Sequence, residues 1–471
     1  MSDQDELIAL SACRMVELLD QGVVTPVDAL KALERRIAKV DPLIDALPTL
    51  CFERAFSEAR RVQEQPVSER GLLRGLPVPI KDLTHVAGVR TTSGSLLFKD
   101  HISENTGLPA RTLEENGAVI YAKSNTPEFG TGGHTRNEVF GITRNPRDTT
   151  LSAGGSSGGA AAALATGMAW LAHGSDMAGS LRTPASFCGV ASLRPSPGLI
   201  AGDQPRLPFQ VLGQEGPMAR SVEDVALMTD AMSGLSHQSG LSKPAPPTSF
   251  LDAARSPTRP PRVAVSADLG VTEITGEVRS AFDAAINTLT GSGLEVDETH
   301  PDFTDAVEAF TVQRAIIYAV KLGDALASAE KLFNPLVVWN IKKGLETDAA
   351  SVRSAMAAQG RLFQKVADFM QTCDILICPA TIMPPFPADE FYPGSSKGVP
   401  VSEYYDWLKI VYVVSAATLP VITIPCGFTA SGLPLAIQLI GRPHGEVALF
   451  RHARYIEDVL GWNATPIDPS E

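Results

Sequence analysis

The chain predicts an α/β fold in which a mixed β-sheet is layered between α-helices. Three observations carry that expectation. Between Gly75 and about Gly198, short apolar runs such as Ala118-Val119-Ile120-Tyr121-Ala122 alternate with helical stretches of small residues, the pattern of stacked strands and helices. Val263-Ala264-Val265, a helical stretch over 277–289, the turn Gly291-Ser292-Gly293 and Leu294-Glu295-Val296 read as a β-α-β unit without a glycine fingerprint for nucleotides. With 471 residues and 44% hydrophobic content, the chain can bury a large core, and length alone allows up to about three domains.

Taken in order, residues 6–19 and 26–40 read as amphipathic helices. Thr25 is the N-cap of the second, Pro26 its first residue and Asp28 part of its first turn, with Asp41-Pro42 expected to stop it. A third helix is expected over about 51–63, so that residues 1–65 form a helical segment covering one edge of the core. The first part of the core is expected over 75–235, closing with the helix 222–232 that Ser221 caps in a capping-box variant. Residues 243–262 hold six prolines and predict an exposed connector. Residues 263–471 supply the rest of the core, with helices over about 303–372, a buried strand between Cys373 and Cys378, and a helix over 402–412. That last helix carries Tyr404, Tyr405, Trp407 and Tyr412. At helical spacing such a stripe packs a core, and an apolar substrate pocket is the alternative.

Charge and cysteine usage exclude several function classes. Fifty-three acidic residues against 40 basic give a net charge of −13, and no Lys/Arg cluster could neutralise a run of phosphates or an anionic membrane. The six cysteines show no C-x-x-C spacing, so they read as reduced thiols rather than metal ligands. The N-terminal residues are acidic where a secretory signal is basic, and no apolar run reaches bilayer length. A cytoplasmic location is expected.

The chemistry concentrates in Gly154-Gly155-Ser156-Ser157-Gly158-Gly159, the run Ala160 to Gly167, and His173-Gly174-Ser175-Asp176-Met177-Ala178-Gly179-Ser180-Leu181-Arg182. Two serine-bearing glycine turns flank one predicted helix, and such turns can aim N–H groups at a negative charge. Ser180 follows Ser156 by 24 positions, and Lys81 closes the upstream run Gly75-Leu76-Pro77-Val78-Pro79-Ile80-Lys81-Asp82. In these residues, and in segments 86–95, 123–129, 140–146, 425–428 and 432–434, the chain resembles the amidase signature family over nearly its whole length.

That resemblance implies one large α/β domain spanning residues 1–471 and a Ser/cis-Ser/Lys triad. Ser180 would be the nucleophile, Ser156 the bridging serine after a cis peptide bond, and Lys81 the base. Burial without a directly paired carboxylate would bring Lys81 toward neutrality. The N–H groups of Met177, Ala178, Gly179 and Ser180 would form the oxyanion hole. Family members often have glycine where Ala178 stands, and alanine would be strained there if the position needed positive φ. Ser157 would act from behind the triad. Asp176 and Arg182 would form a supporting polar network, the alternative being an ordinary surface ion pair. No metal or organic cofactor is implied; the partner is a small-molecule amide, and a homo-oligomer is compatible with the chain.

Three other readings compete. Gly155 to Gly159 also fits G-x-S-x-G with Ser157 as an α/β-hydrolase nucleophile, but that motif belongs after a strand and 145–153 is a poor one. None of the eight histidines has a distinguishing context, although His134 and His173 lie near the motifs. The A component of a glutamine-dependent amidotransferase would carry acidic groups before the late Leu-Pro motif, where this chain has Tyr412 to Pro420. A binding protein without activity would not need all three triad side chains. The expected activity is hydrolysis of an apolar or aromatic amide to acid plus amine or ammonia.

Overall fold

The computed structural model describes residues 3–469. The helix expected over 6–19 is two helices, Asp3–Ala9 and Ala12–Asp20, because Ser11 turns extended and its hydroxyl accepts the Arg14 N–H to cap the second. Thr25 caps Pro26–Ile44 with a full capping box shared with Asp28. Asp41-Pro42 does not stop this helix as expected. Pro42 lies inside the helix, where its missing N–H costs one backbone bond without ending it, and the exit comes at left-handed Asp45 while Asp41 Oδ1 accepts the Ala46 N–H. Phe52–Glu64 forms the third helix.

Eight strands make the central sheet: β1 Leu171–Asp176, β2 Ala191–Arg194, β3 Gln214–Ala219, β4 Val263–Val265, β5 Val296–Glu298, β6 Ile375–Pro379, β7 Val421–Phe428 and β8 Pro434–Gly441. Their order is β5-β4-β6-β8-β7-β2-β3-β1. The strands β5, β4 and β6 are parallel, and every pairing from β6 to β1 is antiparallel. Helix Gly276–Gly291 makes the β4–β5 crossover. Strand β5 starts after Leu294 because the Leu294 N–H still closes that helix on the Leu289 carbonyl. Side chains alternate between two apolar layers: Ile375 and Ile377 enter one, Leu376 and Cys378 the other.

Around this sheet, two further expectations change. The 243–262 connector contains a helix, Phe250–Ala254, whose buried Phe250 packs against Phe450 with ring centroids 5.4 Å apart. Residues 402–412 are not one helix: 3₁₀ turns Val401–Glu403 and Asp406–Leu408 precede helix Lys409–Ala416. Tyr404, Tyr405, Trp407 and Tyr412 are buried in the second apolar layer, so the core reading of that stripe holds. Ser221 caps Val222–Met232 as expected, but the Asp224 carboxylate accepts the Cys13 N–H instead of returning to the cap.

A smaller sheet places Lys81. Its strands run in the order Thr49–Leu50, Val119–Ser124, Pro77–Lys81, the last two parallel. Helix Gly158–Ala165, buried at every residue, lies between this sheet and strands β1 and β3. Close approach is tightest at its start, where a Cβ on Gly159 would stand 2.4 Å from Asn125 N.

Candidate active site

Lys81 ends its strand fully buried. Its Nζ lies 2.7 Å from Ser156 Oγ, 2.8 Å from Ser157 Oγ and 3.1 Å from Ser175 Oγ. The Gly155–Ser156 peptide bond is cis. Asp82, next in sequence, turns away: it accepts from the Thr92 N–H and hydroxyl and pairs with Lys123 at 3.4 Å. Among the described residues Lys81 therefore has no carboxylate partner. Burial lowers its pKa from 10.5 to about 7 against the opposing pull of Glu215 and Asp176.

Beneath the second serine turn lies a buried charge network. The Asp176 carboxylate accepts the Gly179 and Leu181 N–H groups and a two-pronged contact from Arg182, 3.0 Å on each side. Arg194 approaches the same carboxylate at 3.4 Å. Burial alone would raise the Asp176 pKa, but the two guanidiniums outweigh it and hold the carboxyl far below its usual range. Arg182 also donates to the Val411 carbonyl, Gln438 Oε1 and Ser415 Oγ. The Asp176–Arg182 pair is thus a buried network, not a surface ion pair.

This network corrects one expectation about the turn. The Gly179 N–H, expected to face an oxyanion, is donated to Asp176 Oδ1 at 2.9 Å. Among the described residues, no protein acceptor takes the N–H of Met177, Ala178 or Ser180. Positive φ falls on Gly179 at 98°, not on Ala178, so the alanine is unstrained. A Cβ on Gly179 would stand 2.4 Å from Val411 Cγ2. Gly179→Ala is therefore expected to lower Tm and, by displacing the turn, to cut kcat by about a hundredfold; thermal denaturation and steady-state kinetics on the same sample check both.

Ser156, Ser175, Met177 and Ser180 lie at a cleft of about 700 Å³ whose walls include Glu104, Asp203, Glu215 and Lys321. Ser180 is 9% exposed, Ser157 fully buried. His134 is tied to Ser152 Oγ at 2.6 Å and the Ala388 carbonyl at 2.9 Å, and burial pushes its pKa down to about 4. His173 is buried beside Glu215. Only isolated bridges occur over 145–153, so Ser157 does not stand on the strand-to-helix elbow that an α/β-hydrolase requires.

A family model described as amidase matches residues 28–450. The chain belongs to the amidase signature family. It is 31% identical over 469 residues to an acylamidase of Rhodococcus erythropolis, covering 96% of each chain. It is 33% identical over 457 residues to the A component of the glutamyl-tRNA(Gln) amidotransferase of Picosynechococcus sp., covering 91% of this chain and 93% of that one. Among solved structures, 6-aminohexanoate cyclic dimer hydrolase complexed with substrate superposes with a TM-score of 0.89 at 24% identity, over 98% of this chain and 100% of that one.

In this amide-hydrolysing enzyme the structure gathers Lys81, Ser156, Ser157, Asp176, Met177, Ala178, Gly179, Ser180 and Arg182 into one region. It adds Ser175, Arg194, Ser415 and Gln438, which sequence reasoning missed. Ser175 stood inside the quoted motif and could have been found there. The others carry no local signal, since β2, β8 and the helix Lys409–Ala416 bring them in from distant segments. The Tyr404 to Tyr412 aromatics do not line this cleft, whose apolar walls include Leu83, Phe129, Met177 and Tyr318 instead. No helix among the described residues is long and apolar enough to cross a membrane.

Proposed function

We propose that this amidase hydrolyses the C–N bond of a small-molecule carboxylic amide through an acyl-enzyme on Ser180, with its protons carried by Ser156 and Lys81. The observation that carries this reading is the 2.7 Å contact between Lys81 Nζ and Ser156 Oγ at the cleft that also holds Ser180. A neutral lysine has two N–H donors and one lone pair. Ser157 Oγ, itself donating to the Ser175 carbonyl, and Ser175 Oγ accept the two N–H groups, which leaves the lone pair for the Ser156 hydroxyl. Ser156 can then take the Ser180 proton as Ser180 Oγ attacks the amide carbon. The N–H groups of Met177, Ala178 and Ser180 hold the oxyanion. The proton returns through Ser156 to the departing nitrogen, and water, deprotonated by the same relay, releases the acid.

Peptide mapping after fluorophosphonate treatment tests the assignment. The label is expected on Ser180; a labelled Ser157 with an unmodified, replaceable Ser180 would overturn it. The 33% identity to an amidotransferase component supports a second reading, a glutaminase working inside a larger complex. The polar group near the late Leu-Pro motif, Ser415, is engaged by Arg182, which favours the stand-alone enzyme. Glutamine turnover matching the best simple amide would favour the complex. Six unpaired cysteines support a cytoplasmic setting.

A further inference from the structure

The cleft wall next to Ser180 carries a carboxylate that lacks a hydrogen-bond donor. Glu215, on β3, stands directly opposite Ser175 in the β1–β3 ladder, and Ser175 Oγ touches Lys81 Nζ. Residues paired in this way carry side chains on the same face, with Cβ atoms about 5 Å apart. Glu215 is therefore within one side chain of the reacting groups. Its Oε2 is shielded from solvent, its Oε1 is open to the cleft, and neither oxygen receives a hydrogen bond among the described residues. Fully buried His173 lies behind it, Nε2 3.1 Å from Oε2 but off the hydrogen-bonding direction, with neither ring nitrogen partnered.

The neighbouring polar groups do not supply that donor. Gln204, Gln210 and the Gly213 backbone bond one another, and Gln214 donates to the Val211 carbonyl. Asp203, on the same wall, is held by the Leu108 N–H and adds a second negative charge. Glu104 adds a third, against one lysine, Lys321, on the helix Ala306–Ala329, whose pKa burial lowers and which makes no hydrogen bond to Glu215. Asp176 is already matched by Arg182 and Arg194. Three carboxylates against one lysine leave this wall net negative.

We propose that Glu215 is a specificity residue that selects amides bearing a primary ammonium group close to the bond being cleaved. The ammonium donates to Glu215 Oε1, the oxygen open to the cleft, which the protein leaves without a donor; Asp203 strengthens the field from the side. This inference rests on the amidase reading above and narrows its substrate class.

A matched series of anilides tests it, each acyl chain ending in an ammonium, a methyl or a carboxylate, with spacers of two to six carbons. For the best spacer, kcat/KM is expected to be about tenfold or more higher for the ammonium than for the methyl compound, with the carboxylate poorest. The gap should shrink with added salt. Glu215→Gln should collapse the ammonium-to-methyl ratio toward one. Methyl compounds cleaved as well as ammonium compounds by the wild type would overturn the proposal while leaving the amidase reading intact, and so would a Glu215→Gln enzyme that keeps the ratio. The wild-type series decides the matter even if the variant does not fold. No turnover of any amide, together with an unlabelled Ser180, would remove both readings.

Discussion

Ser180→Ala is expected to abolish turnover, with a loss on the order of 10⁴-fold or more, and to leave the fold unchanged. The hydroxyl lies on the cleft side of a turn held by the Asp176 network rather than by Ser180 Oγ, so its removal withdraws the nucleophile and little else. Ser156→Ala should also be severe, because it interrupts the path from Ser180 to Lys81. Ser157→Ala should be milder: it removes one of two acceptors that orient the lysine and leaves the lone pair a route to Ser156. Single-turnover rates for the three variants check the order, and circular dichroism separates it from misfolding.

The second large effect comes from Lys81. Its pKa of about 7 means that kcat/KM should rise with pH through about 7 and level off above it, falling about tenfold per pH unit on the acid side. Lys81→Met should remove nearly all activity and flatten that limb. Stability responds in a defined direction. The unfolded lysine titrates near 10.5 and the folded one near 7, so between these values the unfolded state holds more protons and rising pH favours the folded state. Wild-type stability should therefore gain on that of Lys81→Met by up to about 1.4 kcal/mol per pH unit across this window. Urea denaturation of both proteins at pH 7 and 9 measures it; parallel stabilities would place the charged form in the fold.

Local chemistry was legible in the chain where the deciding atoms are close in sequence. Thr25 and Ser221 cap where expected because an N-cap needs only its own hydroxyl and an N–H three residues on. The Gly/Ser turns marked the cleft because backbone approach there demands small residues, whereas the Lys-Asp run was legible only through its resemblance to the family motif. Pro42 misled, since a proline's effect depends on how many helical turns remain after it. The aromatic stripe at 404–412 was legible as apolar, but nothing local tells a side chain whether its apolar neighbours are protein or substrate. Arg194 and Gln438 were invisible for a related reason: a buried arginine is identified only by the carboxylate or amide that the fold brings to it. The Gly179 N–H was assigned correctly to the turn and wrongly to the oxyanion, a choice that the Asp176 side chain decides.

Arg182 joins the Ser180 turn to Val411, Ser415 and Gln438, more than two hundred positions further along the chain. During synthesis, Lys81, Ser156 and Ser180 leave the ribosome before those partners are made. Until β8 is in place, the Arg182 guanidinium lacks an acceptor from that strand, and the turn lacks the anchor that fixes its N–H groups. A chain that stops short of β8 thus carries Lys81, Ser156 and Ser180 without the full anchor of the Ser180 turn.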